Sequence, residues 1–321
     1  MKKINHIPLA SIPTPIEPLR RLSKIMGQNL FIKRDDLTGL AFGGNKTRKL
    51  SYLVADALAS EATMLITTGA IQSNHCRQTA AAAAKAGLAC TLILTGEKPQ
   101  QVSGNLFLDS LLGADILWTT KEKRDSVLKE TFNQAEVEGK KPYLIPYGGS
   151  NVLGAAAYAF AMEEYINQGC HSEWIVFASS SGGTQAGLVL GARLFGYGGN
   201  ILGISVDEKA LDLKLKIAQL ATQTASFLGE DLSFNSEEIM VNDDFLGGGY
   251  GIMGDVEKEA VQLFARTEGM LLDPVYTGRA GAGLLKLIRD GFFGNGNSIL
   301  FWHTGGMPSL FANTYLNNLI S

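Results

Sequence analysis

Asp35-Asp36-Leu37-Thr38-Gly39-Leu40-Ala41-Phe42-Gly43-Gly44-Asn45-Lys46-Thr47-Arg48-Lys49-Leu50 is the stretch from which the rest of the chain is read. Adjacent Gly43 and Gly44 free the backbone to turn tightly. Asn45 has a side chain suited to cap a helix, and Leu50, Leu53, Val54 and Ala57 continue with helical spacing. Lys46 then falls in the first turn, where free amides and the macrodipole disfavour a positive charge. An amine so placed gives up its proton more easily and becomes a better nucleophile. Acids usually occupy this end, so the lysine breaks a local rule, as functional sites often do. A solvated basic face of Lys46, Arg48 and Lys49 would account for the same residues. The remainder of the chain has to choose between the two.

Upstream, Asn29 to Arg34 alternates like a strand and delivers the chain to this loop, after a lead-in punctuated by Pro8, Pro13, Pro15 and Pro18 and a short helical segment, Leu19 to Met26. Downstream, strands at Met64–Thr68, Cys90–Leu94, Ala114–Trp118 and Tyr143–Pro146 alternate with helical stretches at His75–Ala86, Gly104–Leu112 and Lys123–Glu138. A second series has helices at Ala155–Ile166, Gln185–Leu194, Leu211–Leu228 and Val256–Thr267. Its strands are Trp174–Ala178, Ile201–Val206 and Ser298–Trp302, and a last helix closes the chain. Such alternation predicts an α/β fold of open parallel sheets covered on both faces. The gap around 147–158 divides the series. The strand before Lys46 goes with the later one, which predicts a larger discontinuous unit, 1–47 with 159–321, and a smaller inserted unit, 48–158.

A chain of 321 residues exceeds what one core usually holds, in keeping with two units. The formal net charge of −3 and the lack of basic runs interleaved with aromatics argue against nucleic acid as a partner. No apolar core follows Met1–His6, so no signal peptide is expected, and no apolar run has membrane length. Cys76, Cys90 and Cys170 are widely spaced, as suits free thiols in a reducing cytoplasm. Four histidines without ligand spacing predict no metal site.

Several glycine-rich loops follow strands, and in open parallel sheets ligands sit at the carboxyl ends of strands. Ser179-Ser180-Ser181-Gly182-Gly183-Thr184 combines hydroxyls with the free amides of a coming helix, a cradle for a phosphate dianion. The loop is neither a P-loop nor a strict Gly-x-Gly-x-x-Gly. Asp207 past the next strand nevertheless resembles the ribose-binding acid of a dinucleotide fold, and a plain small-residue connector also fits. In Gly69–His75, Ser73 and Asn74 suit helix capping and equally the binding of a carboxylate by the same amides. Tyr250 lies among Gly247, Gly248, Gly249 and Gly251, and Tyr276 in Asp273-Pro274-Val275-Tyr276-Thr277-Gly278. Both could reach into a pocket or pack as core tyrosines. His303-Thr304-Gly305-Gly306 ends the last strand in polar backbone.

As a set, Lys33-Arg34-Asp35-Asp36, Gly43–Leu50, Gln72-Ser73-Asn74-His75, Ser181–Gly187, Asp273-Pro274-Val275-Tyr276 and His303-Thr304-Gly305-Gly306 resemble pyridoxal-phosphate enzymes of fold type II, the tryptophan synthase β class. Within it they look like the branch that holds D-cysteine desulfhydrase and aminocyclopropane carboxylate deaminase. The resemblance implies that pyridoxal 5'-phosphate is attached covalently to Lys46. It implies that Ser181, Gly182, Gly183 and Thr184 hold the phosphate, that Asn74 meets the ring hydroxyl and Ser73 the substrate carboxylate, and that His75, Tyr250 and Tyr276 face a small amino-acid substrate. A homodimer is implied as well.

Three positions separate the branches. The deaminases typically carry Gln after Ser-Asn, Glu after Asp-Pro-Val-Tyr and Leu within the last His-x-Gly-Gly, where this chain has His75, Thr277 and Thr304. Hydroxyls in place of a carboxylate near the pyridine nitrogen weaken the electron sink, which suits β-elimination better than opening a carbon ring. The expectation is therefore β-elimination of D-cysteine to pyruvate, sulfide and ammonia, with the freed Lys46 taking the Cα proton and Tyr276 a candidate donor. L-cysteate, another β-substituted amino acid and aminocyclopropane carboxylate are the rival substrates, and a dinucleotide oxidoreductase using Asp207 is the rival of another class. Ser180, where desulfhydrases often have glycine, and Gln185, near a frequent histidine, depart from the pattern.

Overall fold

The computed structural model describes residues 2–320; Met1 and Ser321, the outer limits of the larger-unit expectation, lie outside the described residues. The chain opens with β1 (Ile16–Pro18), α1 (Arg20–Met26), β2 (Asn29–Arg34) and α2 (Asn45–Ala59). Then come β3 (Met64–Ala70), α3 (Asn74–Ala86), β4 (Ala89–Thr95), α4 (Gly104–Leu111), β5 (Asp115–Thr119), α5 (Arg124–Val137) and β6 (Pro142–Leu144). After α6 (Val152–Asn167) follow β7 (Trp174–Ser179), α7 (Gly183–Phe195), β8 (Asn200–Ser205), α8 (Ala210–Leu228) and β9 (Met240–Asn242). The chain ends through α9 (Asp255–Glu268), α10 (Thr277–Arg289), β10 (Ser298–His303) and α11 (Asn313–Ile320).

Two sheets result. One has the order β1-β2-β10-β7-β8-β9, the other β5-β4-β3-β6. All neighbours run parallel except β1 with β2. The α/β class of two open parallel sheets is thus what the chain adopts. Strands β3, β7 and β10 read as near-continuous apolar runs because both of their faces are covered. In the larger sheet, Leu22, Phe264 and Leu284 from α1, α9 and α10 cover one face, and Tyr158, Met162 and Leu188 from α6 and α7 cover the other. In the smaller sheet, α2, α3 and α4 cover one face and α5 the other. Helix α2 packs against both α3 and α6. The limits drawn from sequence at 47/48 and 158/159 fall inside α2 and α6.

Helix α10 is not among the helices the sequence predicts, and Gly278, Gly281 and Gly283 lower its helix propensity. The structure gives those glycines another reason: a Cβ at Gly278 would lie 2.5 Å from the Asp273 carbonyl oxygen, and one at Gly281 would lie 2.9 Å from Leu272. The short strands β1 and β9 carry too few residues to show a period.

Candidate active site

The loops after β2, β3, β7 and β10 meet in one cleft with about 620 Å³ of empty space, its solvent mouth included. Lys46 stands at its floor in the first turn of α2. The cap of that helix is Gly44 (φ 125°, ψ 169°), not Asn45 as the sequence suggested. Asn45 is the first helical residue, and its Nδ2 donates to Thr184 Oγ1 at 3.1 Å. The shift has a steric cause: the Asn45 amide donates to the Thr304 carbonyl at 2.9 Å, drawing Gly44 against the β10 loop. A Cβ on Gly305 would lie 2.6 Å from Gly44 Cα, so the two backbones touch and neither position has room for a side chain. This contact sets the start of α2 against the loop after β10, with Lys46 and Thr304 both lining the cleft.

Lys46 is partly buried and has no hydrogen-bond or ion-pair partner among the described residues. Burial lowers its pKa from 10.5 to about 8. The direction is the one argued from the helix terminus, and desolvation is the cause.

At one end of the cleft, Gly182 (φ 80°) caps α7, and the Gly183 amide donates to Ser150 Oγ at 3.2 Å. Ser150 Oγ lies 2.7 Å from Ser181 Oγ. The Lys49 Nζ donates to the Gly148 carbonyl at 3.2 Å and to Ser150 Oγ at 3.4 Å. Lys49 is fully buried with no carboxylate partner, and burial, then the charge of Lys46, pushes its pKa well down. A Cβ on Gly183 would come within 2.5 Å of Ser150 Oγ and 3.0 Å of Lys49 Nζ, so glycine keeps this cradle open. Hydroxyls, helix-terminal amides and a buried lysine that faces no carboxylate among the described residues fit a phosphate dianion. Sequence reasoning left Lys49 on the basic face; its signal was the spacing of three from Lys46, which puts both on one side of α2. Ser181, Gly182 and Thr184 line the cleft, whereas Gly183 stands behind them.

From the smaller sheet, Ser73 caps α3, its Oγ accepting from the Cys76 amide at 3.2 Å. Asn74 Oδ1 accepts from Arg77 Nη1 (3.1 Å) and Asn105 Nδ2 (2.9 Å), which leaves its own Nδ2 to donate elsewhere. His75 Nε2 lies 2.9 Å from Thr67 Oγ1, whose only hydrogen goes to the Ile145 carbonyl at 2.8 Å. The ring therefore donates from Nε2 and keeps a bare Nδ1, which is buried without a partner. Burial, then the charges of Lys46 and Lys49, holds the His75 pKa well down and the ring neutral.

Tyr276 lines the cleft, and its hydroxyl lies 2.6 Å from that of Tyr250, which stands behind it. Burial pushes both phenols well up, so both keep their protons. Tyr147 also lines the cleft and was not singled out from the sequence, where only its following glycines drew notice. Thr304 lines the cleft, but Thr277 does not. The Thr277 hydroxyl donates to Asp273 Oδ1 and accepts from the Asp273 amide, both at 2.8 Å. Its place has a plain cause: Asp273 accepts the amides of Val275, Tyr276 and Thr277 at the start of α10 and draws the threonine into its turn. Asp207 lies outside the lining, with Oδ1 buried and unpartnered.

Residues 7–305 match the family model described as pyridoxal-phosphate dependent enzyme. The chain belongs to that family. Pyridoxal 5'-phosphate is its cofactor, and the dinucleotide reading built on Asp207 falls away. The chain is similar to a solved structure titled as the ACC deaminase homologue, with 36% identity, TM-score 0.91, and 99% of this chain and 96% of that one covered. A fungal L-serine ammonia-lyase from Rhizomucor miehei shares the fold at 14% identity and TM-score 0.69, covering 97% of this chain and 98% of that one. The processed form of threonine deaminase isoform 2 from Solanum lycopersicum does so at 16% and 0.66, covering 97% and 83%. The residues present fit the cofactor: an unpaired amine at the floor, and an anion cradle at one end. No helix is long and apolar enough to cross a membrane among the described residues.

Proposed function

We propose that this protein eliminates the β-sulfur of D-cysteine, releasing pyruvate, hydrogen sulfide and ammonia. The observation that carries the reading is that, among the described residues, no acidic side chain lines the cleft, and that Thr277 stands where the deaminases carry a glutamate. When bound, pyridoxal phosphate supplies an electron sink conjugated to the substrate nitrogen, weaker when a hydroxyl rather than a carboxylate meets the pyridine nitrogen. A good leaving group on the β-carbon then reacts more readily than a carbon ring.

In this reading Lys46 holds the cofactor, and its freed amine, with a pKa of about 8, takes the Cα proton. Lys49 joins Ser181, Gly182 and Thr184 on the phosphate, with Gly183 supporting the turn. Asn74 Nδ2 donates to the ring hydroxyl, Ser73 Oγ to the substrate carboxylate, and the neutral His75 faces the substrate. The Tyr276 hydroxyl, held against that of Tyr250, gives its proton to the departing sulfur. Thr304, a leucine in the deaminases, faces the cofactor ring, and position 277 offers that ring no carboxylate. The reading also takes residues 48–158 as an inserted unit, a homodimer, and a cytoplasmic setting that suits three unpaired cysteines.

The structure titled as an ACC deaminase homologue, at 36% identity, keeps aminocyclopropane carboxylate in the comparison. L-cysteate, as another β-substituted amino acid, needs the same residues. The test incubates holoprotein with D-cysteine, L-cysteine, L-cysteate and aminocyclopropane carboxylate and measures keto acid, sulfide and sulfite. The expected result is the highest kcat/KM for D-cysteine, with pyruvate and sulfide in equal amounts. Faster release of 2-oxobutyrate from the cyclopropane substrate overturns the reading.

A further inference from the structure

The cap and the first turn of α10 carry two side chains with linked positions. Tyr276 enters the cleft, and Arg279, three residues on, runs into the protein and is fully buried. Its guanidinium ties together segments remote in sequence. Nε donates to Glu257 Oε1 at 2.9 Å, and Nη1 to the Val206 carbonyl at 2.6 Å. Nη2 donates to the carbonyls of Gly249 at 3.1 Å and Ile252 at 2.8 Å. Glu257, also buried, accepts the Gly254 amide on Oε2 at 3.0 Å. Tyr250 sits between the two clamped carbonyls, in a segment with glycine at 247, 248, 249, 251 and 254. Such a segment has much conformational freedom to lose, and no sheet or helix ladder holds it.

We propose that Arg279 is a positioning residue, which locks the loop 247–254 onto α10 and so holds the Tyr250 hydroxyl on that of Tyr276. The proposal rests on the reading above only in giving Tyr276 the proton for the departing group. A planar fork that meets three carbonyls at fixed angles does this better than a point charge. It also gives the buried Arg279–Glu257 pair a purpose other than stability, to which such pairs contribute little. The guanidinium reaches no substrate atom; it acts through the backbone on either side of Tyr250.

The experiment compares holoenzyme carrying Arg279→Met, Arg279→Lys, Glu257→Gln, Tyr250→Phe, and the Tyr250→Phe/Arg279→Met double change. Amide hydrogen exchange over 247–254 is read without substrate, and kcat and KM with the amino acid that the substrate comparison selects. Arg279→Met is expected to speed exchange in this segment about tenfold or more while retaining pyridoxal phosphate. Its kcat falls about 10²-fold with little change in KM, as a misplaced reacting group does. Lysine keeps the charge towards Glu257 but cannot meet three carbonyls, so it restores only a part of both and still speeds exchange; Glu257→Gln, which gives up the Gly254 contact, lies between Arg279→Met and wild type. The double variant loses no more than the worse single one. Unchanged exchange in Arg279→Met, or losses that multiply in the double variant, overturns the proposal. Should Arg279→Met not fold, Glu257→Gln and Arg279→Lys decide by the same exchange criterion. That criterion needs no turnover, so a wrong substrate assignment leaves it intact.

Discussion

Two faces of helix α2 treat buried positive charge in opposite ways. On one, Arg48 is saturated: Nη2 reaches Asp35 Oδ1 and Nη1 reaches Glu164 Oε2, each at 2.8 Å. Asp35 takes further bonds from the Tyr158 hydroxyl (2.5 Å) and Trp302 Nε1 (2.8 Å), and Glu164 one from Lys33 (2.5 Å). Burial opposes the Arg48 charge, yet Asp35 and Glu164 outweigh it and hold the guanidinium protonated beyond its ordinary range. On the other face, Lys46 and Lys49 have no carboxylate, and burial lowers both. Three basic side chains within four residues thus divide into one tied to Asp35 and Glu164 and two that face no carboxylate among the described residues. Whether a buried charge is compensated, more than whether it is buried, separates scaffold from site.

Removing each cation tests that contrast. Lys46→Ala should abolish covalent retention of pyridoxal phosphate after borohydride treatment and lower keto-acid release about 10⁴-fold or more, by removing nucleophile and base together. Arg48→Met leaves Asp35 and Glu164 short of a partner, and a urea melt of the apoprotein should show a loss of about 3–5 kcal/mol. Lys49→Met should do the reverse in the same melt, leaving the apoprotein as stable or more so. It should weaken cofactor binding about 10- to 100-fold, as expected for lost charge-assisted hydrogen bonds. An apoprotein destabilised by Lys49→Met as much as by Arg48→Met would erase the contrast. The mildest probe is pH. Only the neutral Lys46 amine attacks an aldehyde, so capture of pyridoxal phosphate by apoprotein should quicken about tenfold per pH unit below 8 and level off above it, followed by absorbance.

Much of this is legible in the amino-acid sequence. Strand and helix alternation revealed both sheets, because continuous apolar strands and amphipathic helices differ in period. The loops holding Lys46, Ser73, Ser181 and Thr304 stood out because glycine and hydroxyl residues cluster where backbone meets ligand. Four things were hidden, each for a physical reason. Lys49 looked like a surface lysine because burial is a tertiary property. Thr277 belongs to a cap that only the Asp273 turn reveals. Helix α10 was masked by glycines whose small size serves packing against Leu272 and the Asp273 carbonyl. The three carbonyls that Arg279 meets run from Val206 to Ile252, and no local pattern encodes such a span.

The backbone contact between Gly44 and Gly305 bears on how such a protein can change its chemistry. Residue 304 hangs from a joint too tight to shift, so exchanging its side chain alters what faces the cleft while the lysine keeps its place. Reactivity can then drift by single replacements at one hinge-pin neighbour, with the frame around it left standing.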